Sequence, residues 1–238
     1  MRYNITKYEI ENKKIKEKIK FAILADMHTT RDEKIIEIIK KENVNAILIP
    51  GDFIDDNSRL NMATGKAFLK KVSRVAPVYY AFGNHEEMYG INPSEFTHID
   101  NLKLLINEDV KYKGIKIGGS AECIGDLNWV NIFKRNSKEF KILIRHKPEK
   151  YKEEIKENGI DLMISGHAHG GQIRIFGQGL YAPGQGVFPK YTSGIIENKL
   201  IISRGLCNTA PFFIPRLFNR PELVFLTIKP SQKASFRT

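Results

Sequence analysis

The stretch NAILIPGDFID, residues 45–55, decides how this chain folds. Its first part, Ala46–Ile49, is an uninterrupted apolar run, which predicts a strand that is buried on both faces. Gly51 and Asp52 end that strand abruptly, so a carboxylate stands at its carboxyl end. Ligands of open α/β sheets bind at this end of the strands. Asp52 is therefore the centre of a predicted site, because a carboxylate can hold two cations with its two oxygens.

The segments around this strand predict a parallel sheet with alternating helices. Ile19–Ala25 and Pro77–Phe82 have the composition of further buried strands. Asp32–Glu42 and, approximately, Leu60–Val72 place their apolar residues at helical spacing. The resulting order β-α-β-α-β implies parallel strands that are joined by right-handed crossovers.

The remainder of the chain predicts mainly strands. Tyr3–Lys20 alternates and is rich in Lys, as in an edge strand or hairpin. Pro148 and Gly159 are predicted to begin and end a helix. Asp126–Lys138, which contains Trp129, is ambiguous between helix and loop, and whether it caps a site is left open. The other predicted strands are Leu102–Ile106, Lys113–Gly118, Phe140–Ile144, Ile160–Ser165, Gln172–Phe176, Tyr191–Glu197, Lys199–Arg204 and Leu223–Lys229. The last four suggest an antiparallel second sheet.

The composition indicates a well-buried core and a basic surface. Hydrophobic residues make up 42% of the 238 residues, and the formal net charge is +11. Residues 1–20 carry six Lys, and residues 190–238 carry eight Lys or Arg against Glu197 and Glu222. This balance favours polyanionic or membrane-surface partners. A solvated Lys-rich surface explains it equally well.

Neither disulfides nor targeting segments are indicated. Cys123 and Cys207 lie far apart without CxxC spacing, so both are predicted to be ordinary buried thiols. Residues 1–20 are charged throughout and lack the apolar core of a signal peptide. No run approaches the ~20 apolar residues that are needed for a transmembrane helix. The sequence therefore favours a cytoplasmic protein, with peripheral membrane contact left open.

Residues of the types that bind metals follow five of the predicted strands. Besides Asp52, they are Asp26, His28, Asn84, His85, His146, His167 and His169. Only His98 of the six histidines lies elsewhere, and it is predicted to have no role. One histidine at a strand end is usually a polar cap. A cluster of buried polar groups, which cost about 1–3 kcal/mol each when unpaired, needs a partner such as a metal ion.

The number and type of these side chains indicate two metal ions. Oxygen and nitrogen ligands without thiolates suit Mn²⁺, Fe or Zn²⁺. The set is larger than one tetrahedral ion needs. Two ions about 3.5–4 Å apart, bridged by Asp52, would use all of it. Such a pair acidifies a bridging water and holds the oxygens of a phosphoryl group during in-line displacement.

The order of the motifs resembles that of the calcineurin-like metallophosphoesterases. The five blocks are Asp26-Met27-His28, Gly51–Asp55, Gly83–Glu86, His146 and Gly166–His169. Each block alone is weak, but together and in this order they are specific. The resemblance implies one domain over residues 1–238, with an α/β fold: a four-layer α/β/β/α sandwich of two mixed β-sheets flanked by helices.

The resemblance also implies roles for the individual residues. His85 matches the histidine that binds the phosphate and donates a proton to the leaving oxygen, and Asp55 matches the carboxylate that orients it. Two divalent metal ions are expected as cofactors, with Mn²⁺ favoured over Fe or Zn²⁺. One ion would be held by Asp26, His28, Asp52 and His169, and the other by Asp52, Asn84, His146 and His167.

The departures from the pattern bear on the substrate. Asp56 and Asn57 follow the second block, where the protein serine/threonine phosphatases of this superfamily have Arg-Gly, which argues against a phosphoprotein substrate. The block GHAHGGQ, residues 166–172, is similar to that of a bacterial branch of membrane-associated phosphodiesterases. The expected function is therefore a binuclear phosphodiesterase or pyrophosphohydrolase, with a lipid-linked or cell-envelope substrate as the first hypothesis. The alternatives are a nuclease, which is not favoured, a phosphomonoesterase, or a non-catalytic scaffold of the same fold.

One apolar segment near the C-terminus allows two interpretations. Residues 210–218 combine prolines with Phe212, Phe213, Ile214 and Phe218. The segment could be a loop that packs its aromatic side chains on the second sheet. Alternatively, it is an apolar surface, flanked by arginine, that contacts a membrane or an acyl chain of the substrate.

Overall fold

The computed structural model describes residues 3–121, 127–135, 138–149, 151–152, 159–207 and 216–231. The helices are α1 (Glu33–Glu42), α2 (Arg59–Ser73), α3 (Asn84–Met88) and α4 (Leu127–Lys134), with 3₁₀ turns at Pro93–Phe96 and His169–Gly171. The longer strands are β1 (Asn4–Asn12), β2 (Ile19–Ile23), β3 (Ala46–Pro50), β4 (Val78–Ala81), β5 (Leu102–Leu104), β6 (Glu108–Tyr112), β7 (Ile115–Ser120), β8 (Phe140–Arg145) and β9 (Leu162–Ser165). They are followed by β10 (Arg174–Ile175), β11 (Gln178–Gly179), β12 (Tyr181–Ala182), β13 (Gly186–Val187), β14 (Gly194–Ile196), β15 (Leu200–Ile202) and β16 (Glu222–Pro230).

Within the described residues, the strands form two six-stranded mixed sheets and two short hairpins. The first sheet has the order β1-β16-β2-β3-β4-β5, in which β2 to β5 are parallel. The second sheet has the order β14-β15-β9-β8-β7-β6, with β15, β9, β8 and β7 parallel and both edge strands antiparallel. The predicted pair of mixed sheets is therefore confirmed.

The alternation of side chains along the strands builds four layers. Ile47 and Ile49 of β3 face the cluster that includes the apolar sides of α1 and α2. Their neighbour Leu48 points the other way, into a cluster shared with Ile144 and Ile164 of the second sheet. A third cluster packs Phe133 and its neighbours on α4 against the outer face of that sheet. Burial on both faces explains why these strands read as continuous apolar runs.

The local predictions for the first half of the chain are confirmed. The two helices α1 and α2 lie where the helical spacing placed them, and β1 is an edge strand of the first sheet. Asp32 caps α1 by accepting a hydrogen bond from the Lys34 amide, and Ser58 caps α2 through the Asn61 amide. The helix predicted after Pro148 falls largely on residues outside the described ranges.

The predicted antiparallel second sheet is wrong in three respects. Leu223–Lys229 returns to the first sheet as β16, where it lies between β1 and β2. Lys199–Arg204 contributes β15, which is parallel to β9, so antiparallel pairing in the second sheet is confined to its edge strands β14 and β6. Gln172–Phe176 is part of a short hairpin instead of a sheet strand. A period-two apolar run shows which face is buried, but it carries no information on which strand will pair with it.

We expect Leu226→Ala to lower the free energy of unfolding by about 2–5 kcal/mol, because it leaves a cavity between the two sheets. Leu226 is fully buried there, whereas its neighbour Thr227 is partly exposed. Urea unfolding of both variants checks this, with Thr227→Ala as the control that changes the free energy by less than about 1 kcal/mol. Equal small losses would contradict the placement of β16 inside the first sheet.

Candidate metal centre

The predicted ligands meet where strands of both sheets end. The Pro50 carbonyl, at the end of β3, lies 2.7 Å from His146 Nδ1 after β8. Close approach of the backbones requires glycine here. A Cβ on Gly51, which has a φ of +86°, would lie 2.5 Å from Gly83 Cα and 2.8 Å from His146 Nδ1. The turns that carry ligands from the two sheets are therefore in direct contact.

Asp52 lies at the centre of the group, as the sequence predicted. Its Oδ1 accepts a hydrogen bond of 2.9 Å from the His85 amide. Its Oδ2 lies 3.1 Å from His146 Nε2, 3.9 Å from His28 Nε2 and 4.0 Å from His85 Nε2. One carboxylate oxygen is thus surrounded by three imidazole nitrogens.

Asp26 is fully buried, and its Oδ1 lies 3.9 Å from His146 Nε2, the nitrogen that also faces Asp52. Its Oδ1 accepts a hydrogen bond of 2.9 Å from the His167 amide and lies 3.8 Å from His169 Nε2. A Cβ on Gly166 or Gly205 would lie 2.7 Å from its Oδ2, so both glycines are needed for the close packing of the chain around this carboxylate. Asp26 Oδ2 itself has no hydrogen-bond partner among the described residues.

The histidines are arranged in two close pairs. His28 Nε2 lies 3.4 Å from His169 Nε2, and His146 Nε2 lies 3.2 Å from His167 Nδ1. The proton on His146 Nδ1 is donated to the Pro50 carbonyl, which leaves Nε2 as the nitrogen available to a metal. Nitrogen atoms this close face a common point, as ligands of one cation do.

The donor set fits divalent metal ions. Asn84 begins α3 beside these residues, and its buried Oδ1 has no hydrogen-bond partner among the described residues, like Asp26 Oδ2. Two buried oxygen acceptors without partners are costly unless a cation binds them. Ligand atoms of Asp52, His146 and His167 lie within 4.8 Å of one another, and so do those of His28, Asp52 and His85.

Burial and the neighbouring charges shift the pKa values of the candidate histidine ligands in opposite directions. Burial opposes the charge on His146, but the facing Asp52 and Asp26 carboxylates raise its pKa to about 10. Burial and the neighbouring His146 lower the pKa of His167 to about 3, and burial with His28 lowers the pKa of His169 well below its ordinary value. His167 and His169 are therefore neutral at physiological pH, as metal ligands must be.

Most of the candidate ligands also have an unusual backbone conformation. A positive φ outside glycine costs of order 1–3 kcal/mol and persists only where the surrounding structure enforces it. The residues that adopt it here are Asp26 (48°), His28 (46°), Asp52 (49°), His167 (68°) and His169 (46°). Their concentration at one site indicates that packing of the two sheets imposes the ligand positions.

His85 and Asp55 lie at the accessible side of the group. His85 Nδ1 lies 2.9 Å from the Asp55 carbonyl oxygen and 3.3 Å from its carboxylate. The same carboxylate is closer to His28 Nδ1, at 2.7 Å, so it contacts both imidazoles. Burial opposes the charge on His85, but Asp55 and Asp52 raise its pKa to about 9, so it carries a proton at neutral pH.

Glu86 is the main residue of the site to which the sequence assigned no role. Its fully buried carboxylate accepts hydrogen bonds from the amides of Asp52, Phe53, Ile54 and Gly83, at 2.7–2.9 Å. The Tyr80 hydroxyl donates a fifth, of 2.6 Å. Glu86 thereby connects the turn that carries Asp52 with the turn that carries His85. A glutamate at the third position of a helix is a sequence signal for a capping bond, here to the Gly83 amide. That signal does not predict the bonds from Glu86 to the turn that carries Asp52.

Cys207 and Arg216 form a second group that the sequence did not identify. Cys207 is fully buried, as expected, but its Sγ lies 3.6 Å from His169 Nδ1. Arg216 Nη2 lies 3.2 Å from the same nitrogen. Both residues come from the C-terminal part of the chain, and nothing in their spacing indicates this contact.

The remaining predictions have mixed outcomes. His98 is exposed, next to a 3₁₀ turn, as expected for a surface residue. Trp129 lies on α4, stacks on Phe133 at 5.2 Å and packs toward the outer face of the second sheet. Phe218 is 87% exposed. Phe212, Phe213, Ile214 and Cys123 lie outside the described residues.

We expect Glu86→Gln to lower the free energy of unfolding by about 2–3 kcal/mol. The side-chain amide is uncharged, and its NH₂ group would face backbone N–H groups that need an acceptor. The affinity for Mn²⁺ should fall by about 10–100-fold, since both ligand-bearing turns lose a support. Urea unfolding and titration calorimetry measure the two effects. Glu87→Gln, a partly exposed neighbour, is the control. Unaltered Mn²⁺ affinity in a folded Glu86→Gln protein would contradict this role.

Comparison with known proteins identifies the family. The sequence profile of the calcineurin-like phosphoesterases matches residues 19–171. An uncharacterized metallophosphoesterase of Helicobacter pylori is 30% identical over 67% of this chain and 47% of its own length. One of Aquifex aeolicus is 28% identical over 94% of this chain and 91% of its own length. The phosphodiesterase YaeI of Escherichia coli is 26% identical over 88% of this chain and 82% of YaeI.

The chain spans about half the length of the Helicobacter pylori relative and 62% of that of a Campylobacter jejuni metallophosphoesterase. The matched residues 19–171 run from β2 to the 3₁₀ turn after β9, and they include all the candidate ligands together with Asp55 and His85. The chain therefore belongs to the calcineurin-like phosphoesterases.

Proposed function

We propose that this phosphoesterase is a binuclear metal-dependent enzyme that hydrolyses phosphodiester or pyrophosphate links. The observation that carries the proposal is the position of Asp52 Oδ2, which faces three imidazoles at 3.1–4.0 Å. The buried Asp26 Oδ2 and Asn84 Oδ1, both without hydrogen-bond partners among the described residues, support it. The preference for diesters is further supported by the relative YaeI, which is named a phosphodiesterase.

The residues are proposed to have the following roles, which the geometry of the site supports. When bound, two divalent cations, with Mn²⁺ favoured, supply the Lewis acidity that activates water and offsets the charge on phosphoryl oxygens. His85 lies at the accessible edge of the group, with its Nε2 4.0 Å from Asp52 Oδ2, and it donates a proton to the leaving oxygen. Asp55 orients the His85 ring from the Nδ1 side. One cation would be held by Asp26, His28, Asp52 and His169, and the other by Asp52, Asn84, His146 and His167.

The proposed substrate is lipid-linked, and an exposed apolar surface supports this choice. We call this surface the apolar lobe; its residues are Ile175, Phe176, Val187, Phe188, Leu217 and Phe218, all exposed. Hydrogen bonds join their segments, from the Arg174 amide to the Leu217 carbonyl and from the Gln178 side chain to the Pro189 carbonyl. Residues 162–196 contain no Asp or Glu, so the lobe suits an anionic membrane surface. Among the described residues, none of the helices has the length and hydropathy of a transmembrane span.

The central test compares bis-p-nitrophenyl phosphate with p-nitrophenyl phosphate as substrates of metal-stripped protein reloaded with Mn²⁺. We expect faster turnover of the diester and a loss of about 10²–10⁴-fold in kcat for His85→Ala, because the leaving oxygen loses its proton donor. His98→Ala, which changes an exposed histidine, should keep the wild-type rate.

Faster hydrolysis of the monoester would overturn the proposed preference for diesters, but it would agree with the proposed metal-binding residues. Absence of metal-dependent turnover in protein that binds two ions would favour the scaffold over the enzyme. Cleavage of single-stranded nucleic acid in preference to small diesters would favour the nuclease.

The membrane contact has its own test. We expect Phe176→Ser and Phe218→Ser together to weaken binding to phosphatidylglycerol vesicles at least tenfold, because two aromatic side chains no longer enter the interface (roughly 1.5–3 kcal/mol each). Vesicle co-sedimentation measures the binding, and phosphatidylcholine vesicles show the part due to charge. Leu60→Ser, which changes another exposed apolar side chain, on α2, is the control. Equal losses in both proteins would exclude the apolar lobe as the contact surface.

A further inference from the structure

A cavity opens beside the candidate metal centre, on the side of Asn84 and His167. Its volume is about 430 Å³. Among the described residues it is lined by Asn84, Arg145, Lys147, Glu149, His167, Pro183 and Gly184. Two of these are candidate ligands, so a molecule in the cavity would lie next to the position where phosphorus reacts.

The walls of the cavity come from two distant parts of the chain. Arg145 and Lys147 flank His146 at the end of β8, and the turn between β12 and β13 supplies Pro183 and Gly184. That turn is closely packed. Gly184 has a φ of +73°, and a Cβ there would lie 2.9 Å from Glu149 Oε1. The cavity is therefore built by tertiary contacts and is not a gap at the end of one strand.

The charges of the lining residues favour an anion. Arg145 and Lys147 are cations, and Glu149 is the one carboxylate among the described lining residues. Glu149 Oε1 lies 3.6 Å from His167 Nε2, at the imidazole side of the cavity. Residues 162–196, which supply the opposite wall, carry no acidic side chain. Positive walls beside a cleft concentrate anionic ligands.

The size of the cavity argues for more than one phosphoryl group. Pockets that hold drug-sized ligands have volumes of roughly 300–1,000 Å³, and this cavity lies within that range. A phosphomonoester with a small leaving group would leave most of it to water. A substrate with a second charged group next to the reacting phosphorus would fill it and meet the two cations.

We propose that this cavity is a subsite for a second anionic group of the substrate, a phosphate or carboxylate held by Lys147 and Arg145 next to the reacting phosphorus. The proposal rests on the proposed phosphoesterase function and narrows its substrate class. Substrates with two adjacent anionic groups, such as pyrophosphate diesters, are preferred over diesters that carry a single charge. Lys147, which is partly exposed, makes the more adjustable contact, whereas Arg145 is buried at the end of β8.

The test uses two substrates with the same aryl groups, bis-p-nitrophenyl phosphate and di-p-nitrophenyl pyrophosphate, with the products separated by chromatography. The wild-type, Mn²⁺-loaded protein should have the higher kcat/KM for the pyrophosphate. Lys147→Met should lower the ratio of the two kcat/KM values roughly tenfold, mainly through KM for the pyrophosphate, since one hydrogen bond to a charged group is lost. Lys147→Arg should retain the ratio.

Lys190→Met is the matched control, because Lys190 is an exposed cation of the same C-terminal region outside the cavity lining. It should leave both kcat/KM values unchanged. The subsite would be overturned if neither Lys147→Met nor Arg145→Gln changed the ratio of the two kcat/KM values in proteins with wild-type circular dichroism. The phosphoesterase function would stand in that case.

Failure of the function itself would give a different result, namely no metal-dependent hydrolysis of either substrate by the wild type. The subsite is then tested by titration calorimetry with methylenediphosphonate and methylphosphonate. The diphosphonate should bind more tightly to the wild type, and Lys147→Met should reduce this difference. Equal binding of the two phosphonates would overturn the proposal.

Discussion

The interaction on which the site depends is the acceptance of five hydrogen bonds by the buried carboxylate of Glu86. Three of the donors are the successive amides of residues 52–54, which would otherwise face the interior without partners. Three successive amides that point at one anion form a concave binding site for it. Since Gly83 donates a fourth bond to Glu86, the turns after β3 and β4 behave as one unit, and Asp52 and His85 keep a fixed separation.

Packing of the two sheets supplies the second constraint. Leu48, Ile144 and Ile164 belong to the same buried cluster, so β3, β8 and β9 keep fixed relative positions. The turns that follow them are therefore brought together at one edge. Left-handed backbone at Asp26, Asp52 and other ligands is tolerated there because the sheets leave the chain no other path. Asp26 Oδ2 and Asn84 Oδ1 are left without a hydrogen-bond partner among the described residues, and a cation is the species that such oxygens accommodate.

The C-terminal part of the chain adds features that the ligand motifs do not contain. Residues 162–196 carry no acidic side chain and form one wall of the cavity beside His167, and together with Leu217 and Phe218 they present the apolar lobe to solvent. The β12–β13 turn contacts Glu149, which in turn lies against His167. Substrate selection and contact with a lipid surface are therefore proposed to depend on the same region. Glu149 is the side chain that lies between this region and His167 of the candidate metal centre.

The strands β2 to β5, the helices α1 and α2, and the positions of the candidate ligands at strand ends could all be predicted from the sequence. These follow from apolar periodicity and from the polar residues that end each run, both of which are local. Other features became visible in the fold alone: β16 lies in the first sheet, Asp55 contacts both His28 and His85, and Glu86 and Cys207 lie against the candidate ligands. Each of these depends on contacts between residues distant along the chain, and local hydrophobicity does not specify the partner of a strand or the direction of a buried side chain.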